Sequence, residues 1–184
     1  MKRKTPSIPS QGGKKQRRQE LDCKVSTLKD IESVREQAKP YWLVTAKFPI
    51  DALTPEWTVG ANRSIDEAHK QRLCEIFNEQ GVLRNDPGHR LRVACTKEQV
   101  RRMLEHVGWE QAQDGHVAAS GDTWRKASEW PSFEDWDAIV GEKAELMAGN
   151  HRVEALKKRL QLSQCGNEER WWICDIYDKG KTPP

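Results

Sequence analysis

No stretch of this sequence approaches the roughly 18 to 20 consecutive apolar residues that cross a bilayer, and the N-terminus carries no hydrophobic segment. Neither membrane insertion nor secretion is expected. Cysteine is scarce and poorly arranged for cross-linking: Cys23, Cys74, Cys95, Cys165 and Cys174 are odd in number and include no C-x-x-C pair. That pattern argues against a disulfide framework and against a structural zinc. His69, His89, His106 and His116 form no H-x-x-x-H pair and keep no ligand spacing to a cysteine, so no metal site is expected from them. Acid is missing from residues 1–18, which hold Lys2, Arg3, Lys4, Lys14, Lys15, Arg17 and Arg18.

That last absence changes the meaning of the net charge of +3. Taking these seven from 31 basic side chains leaves 24 against 28 acidic ones, so the rest of the chain carries −4. The basicity sits in a tail, and bulk electrostatics do not make the remainder a nucleic-acid binder. Residues 1–22 have almost nothing to bury and are expected to be disordered. The clusters at 2–4 and 14–18 resemble a bipartite nuclear localisation signal, implying nuclear location and an import receptor as partner. Nonspecific DNA contact through the same tail is the competing reading.

What remains is enough for one domain: 184 residues, 36% hydrophobic and 32% charged, with eight tryptophans as core material. Thr27 to Gln37 reads as a short helix in a linker over 23–40. Alternation and β-branched content mark a strand over 42–50. Ser64 with Glu67 reads as a capping box opening a helix with Ile65, Ala68, Leu73, Ile76 and Phe77 as its stripe and Gly81 as its stop. A second strand covers 91–95, and Thr96 with Gln99 caps a helix to about Val107. From Trp109 the pattern dissolves, so a Trp-rich insertion standing off the core is expected over about 109–136, with Ser132 capping a short helix near its end. A strand at 144–148, Gly149, a helix with Val153, Leu156 and Leu160, and a strand at 171–177 follow, leaving 179–184 as a tail. Alternating strands and helices define an α/β (α+β) domain over 41–178.

The chemistry concentrates at Gly149-Asn150-His151-Arg152. A strand that turns at glycine into a helix leaves unpaired N–H groups and the positive helix end facing one place, where an anion is stabilised. Arg152 can grip two phosphate oxygens, and His151 can donate a hydrogen bond or move a proton near neutral pH. An ordinary β-to-α turn with a surface Arg is the competing reading. Asn62-Arg63, just before Ser64-Ile65-Asp66, puts a second arginine ahead of a second helix.

Together with the segment order, Gly149-Asn150-His151-Arg152-Val153-Glu154-Ala155 resembles the Gly-x-x-Arg-x-x-Ala signature of the ParB/sulfiredoxin superfamily. The resemblance implies a small mixed sheet with flanking helices, and nucleoside triphosphate binding by Asn62, Arg63, Gly149, Asn150, His151 and Arg152. The sulfiredoxin-like members place a nucleophilic cysteine where this chain has Asn150, so sulfinic acid reduction is not expected. ParB-like members usually put an acid there to help place Mg²⁺, which the neutral Asn150 does poorly. Slow Mg²⁺-dependent hydrolysis would need another carboxylate, and Glu56 and Asp66 are the candidates alongside His151. The stronger reading has Asp66 as a first-turn acid and Glu56 as a solvated loop residue. A DNA-binding or nuclease module of the same superfamily, and an inactive protein-interaction domain, remain as alternatives. No helix-turn-helix follows the turn, which counts against sequence-specific DNA reading.

Overall fold

A computed structural model of the chain describes residues 36–58, 60–109, 126–163 and 167–180. The basic tail with its seven Lys/Arg, most of the expected 27–37 helix and the middle of the Trp-rich segment lie outside these residues. The chain divides into two compact units, Met1–Pro40 and Tyr41–Pro184. In the described part of the first, Lys39 pairs with Glu36.

Five strands build the second unit: β1 (Trp42–Pro49), β2 (Leu53–Thr54), β3 (Leu91–Cys95), β4 (Ala144–Ala148) and β5 (Trp171–Asp178). Their order across the sheet is β1-β5-β3-β4-β2. β1 and β5 run antiparallel, from Trp42 opposite Tyr177 to Pro49 opposite Trp171. β5 is parallel to β3, β3 is antiparallel to β4, and β4 is parallel to β2. Four α-helices flank this mixed sheet: α1 (Glu67–Gln80), α2 (Lys97–His106), α3 (Trp136–Ile139) and α4 (Asn150–Ser163). The protein is α+β.

Strand alternation sets the core. Val44, Ala46 and Phe48 of β1, Leu91 and Val93 of β3, and Trp172, Cys174 and Ile176 of β5 join one buried cluster. The helices add Cys74 and Phe77, Val100, Met103 and Leu104, and Val153, Leu156 and Leu160. Each Val, Leu, Ile, Phe or Met among them removed from water is worth about 1.5–3 kcal/mol. Adjacent tryptophans on β5 face opposite ways, as period two requires. Trp172 is in the core, its ring 5.9 Å from that of Phe77 and its Nε1 donating to the His89 carbonyl at 2.9 Å. Trp171 packs instead with Trp130 and Ile173, and carries Lys47 and Arg84 over its ring at 5.0 and 4.7 Å.

The expected insertion rejoins the core earlier than its reading allows. Trp130, Phe133 and Trp136 are all buried, and Phe133 and Trp136 pack on Phe48. Ser132 is not a cap: it forms a parallel bridge to Lys47, with Lys47 N–H donating to Pro131 and Phe133 N–H donating back to Lys47. The residue before α3 is Asp135, which makes no side-chain cap. A short segment therefore covers the open side of edge strand β1. β2 is a further departure, two residues inside what reads as loop, too short to leave a periodic signal. The Thr96–Gln99 capping box is present in full.

Candidate functional site

α4 starts where β4 ends, and Gly149 makes the join. Its φ of +106° is a conformation that side chains rarely adopt. A Cβ there would lie 2.3 Å from Cδ2 of Leu91, which is fully buried. The glycine is thus demanded by packing against β3. Its carbonyl accepts from Arg152 N–H at 2.9 Å and Val153 N–H at 3.1 Å. The N–H groups of Asn150 and His151 find no acceptor among the described residues, as expected for a first helical turn.

The upstream loop is brought against this turn. Asp66, not Ser64, caps α1: its carboxylate accepts from Ala68 and His69 N–H at 2.9 and 3.2 Å, and the helix begins at Glu67. The shift follows from chemistry, because the Asp66 carboxylate reaches N–H groups of the first turn and its charge suits the helix dipole. Asp66's own N–H donates to Nε2 of His151 at 2.9 Å. The His69 ring meets the His151 ring edge-on with centroids 5.0 Å apart. The starts of α1 and α4 are therefore fastened to each other.

Asn62 works on the backbone. Its amide nitrogen donates to the carbonyls of Pro55 at 2.7 Å and Leu146 at 2.6 Å, so both of its hydrogens are committed. Glu145 supplies the second tie. It accepts from the Thr58 hydroxyl at 2.5 Å and the Thr58 N–H at 3.1 Å, with Lys179 at 3.5 Å. Burial pushes the Glu145 carboxyl upward, but Thr58 and Lys179 outweigh it and hold the group below its ordinary value. β4 thus anchors the 55–62 loop at two successive residues and then leads into the turn. Glu145 is invisible in the sequence because Ala144–Ala148 reads as one apolar strand, and only its partners reveal the carboxylate's task.

Arg63 is exposed and makes no hydrogen bond or ion pair among the described residues. Arg152 is half-buried. Among the described residues its guanidinium makes one hydrogen bond, a long 3.4 Å one to the His89 carbonyl, and no described carboxylate lies within ion-pair distance. Burial pulls its guanidinium below the ordinary value, offset by Asp86 and reinforced by Arg92. Glu56 is exposed, with only its N–H engaged, by the Thr54 hydroxyl. Trp57 lies over the loop itself: a Cβ on Gly60 would sit 2.4 Å from its ring, so the glycine packs flat against that face. Among the described residues no three His, Cys, Asp or Glu side chains converge as a metal would require.

Fold and site together define an α+β domain in which one strand fixes a loop and a glycine turn so that two helix starts meet. The chain belongs to the family described as "Protein of unknown function (DUF3723) N-terminal domain", whose model matches residues 41–183. No curated protein and no solved structure matches it.

Proposed function

We propose that the turn at Gly149–Arg152 binds the phosphates of a nucleoside triphosphate, in the manner of ParB/sulfiredoxin-like domains. The observation that carries this reading is Arg152: a half-buried guanidinium with a single long hydrogen bond and no described carboxylate partner, next to two N–H groups without acceptors. A cation kept out of water is normally paired, and a phosphate would supply the partner. Arg63 follows the anchored loop and adds a second cation, this one exposed, on the chain leading to α1.

The carboxylates favour binding over rapid hydrolysis. Asp66 is occupied as a cap and Glu56 is exposed, so neither is held where it would orient a water or a metal. Mg²⁺ would arrive with the triphosphate. Titration calorimetry with ATP, CTP, GTP and UTP in Mg²⁺ tests the reading on the full chain. Binding that weakens at least tenfold in Arg152→Ala is expected, from the loss of one charge-assisted contact. No binding at millimolar ligand, or equal binding by Arg152→Ala, overturns it.

A further inference from the structure

The hydrogen bond between Asp66 N–H and His151 Nε2 imposes a choice on one atom. An imidazole nitrogen that accepts an N–H must be unprotonated, so in this arrangement the ring is neutral and carries its proton on Nδ1. A proton added at Nε2 turns the acceptor into a donor, facing another donor at 2.9 Å. The contact must then open.

We propose that His151 is a proton-controlled latch between the starts of α1 and α4. With neutral His151 the latch is closed, and Asp66 ties the stretch after Arg63 to the turn. With protonated His151 the latch is open, and the imidazolium becomes a hydrogen-bond donor at the mouth of the turn. The same nitrogen cannot serve Asp66 and an anion at once. Through Nε2, His151 is therefore a positioning residue in the closed state and an anion contact only in the open one.

The charged groups around the ring act in both directions. The His69 imidazole stands edge-on at 5.0 Å, and a second positive ring there would repel a protonated His151. The Asp66 carboxylate pulls the other way, although it is held by Ala68 and His69 N–H. Glu67 is paired with Lys70 and Glu154 with Lys157, and Arg152 is directed to the His89 carbonyl. The second half of the proposal, that an anion selects the open state, rests on the phosphate reading; the latch itself does not.

Nuclear magnetic resonance on the ¹⁵N-labelled full chain without ligand tests the latch. The expected result is an Nδ1–H tautomer for His151 at alkaline pH and an Asp66 amide resonance that shifts on acidification with the midpoint of the His151 ring. His151→Gln offers a carbonyl acceptor that does not titrate, and in it that shift of the Asp66 amide should disappear. An Nε2–H tautomer, or an Asp66 amide indifferent to the His151 titration, overturns the proposal, and the wild-type spectra decide this even if the variant does not fold. ATP titrations at alkaline and acidic pH then compare wild type with His151→Gln, which cancels the protonation of ATP itself. Wild-type binding should gain about tenfold over the variant on acidification. Failure of ATP to bind at either pH, with the coupled resonance shifts intact, sinks the phosphate reading and upholds the latch.

Discussion

Replacing Gly149 by alanine separates two reasons for having a glycine at this turn. If Gly149 is there to let a ligand approach the backbone, Gly149→Ala should fold normally and lose binding alone. The geometry points elsewhere. At φ +106° any Cβ is strained, at a cost of about 1–2 kcal/mol or more. The new methyl would also stand 2.3 Å from Leu91 Cδ2 and 3.8 Å from the Leu91 Cα. Leu91 is fully buried and cannot swing away, so overpacking adds about 1–3 kcal/mol. The sum, about 2–5 kcal/mol, is a large part of the roughly 5–15 kcal/mol that keeps a domain folded. Urea and thermal denaturation should show it as a lower midpoint with unchanged slope, and as a fall in Tm of roughly 5–15 °C. A double-mutant cycle with Leu91→Ala isolates the contact: the pair should be less destabilised than the two single variants together, since the smaller side chain leaves room for the methyl. Stability of Gly149→Ala within about 0.5 kcal/mol of wild type would refute the packing account.

Asn62→Ala should lower stability by about 1–3 kcal/mol in urea denaturation, because the Pro55 and Leu146 carbonyls lose their donor; Asn62→Asp should be worse, placing a carboxylate against them. Glu145 gives a pH signature. Its folded carboxyl lies below the ordinary value, so its stabilisation is complete above the unfolded pKa and disappears as pH falls through the lower folded one. Subtracting the acid denaturation profile of Glu145→Gln from that of wild type should expose this loss below about pH 4, and parallel profiles would refute it. Asp175 has the opposite sign: burial raises its carboxyl above the ordinary value against the pull of Thr45 and Arg90, so its contribution is full at acidic pH and is lost as pH rises through the folded pKa. Phe133→Ala should cost about 3–5 kcal/mol by calorimetry, since the ring is fully buried between Phe48 and Trp136. A loss under about 1 kcal/mol would show that segment 131–133 does not belong to the core.

The parts legible in the sequence were those with a repeating signal. β1, β3, β4 and α4 follow from periodicity, and Gly149 from its place between strand and helix. Capping was legible only where one arrangement dominates. Thr96 with Gln99 had no rival, whereas Ser64 competed with Asp66 two residues later, and it is the acid that reaches the first-turn N–H groups. The task of Asn62 was not legible: an amide in a loop reads equally as a ligand contact or a backbone clip, and only the positions of Pro55 and Leu146 reveal the clip. Glu145 and the His151–Asp66 contact left no trace in the sequence, since partners 87 and 85 residues away have no spacing that reveals them.

The pairing of β1 with β5 has a consequence for synthesis. The first strand of the sheet finds its main partner in the last, at registers such as Trp42 with Tyr177 and Pro49 with Trp171, and β5 also separates β1 from β3. While the ribosome is still making α4, the sheet cannot close, and β1 waits with the edge that β5 will occupy left open. Contacts so distant along the chain form slowly and leave unpaired strands exposed in the meantime. Chains halted before residue 171 should therefore engage holdase chaperones through the 42–49 segment, and release from them should coincide with the emergence of β5.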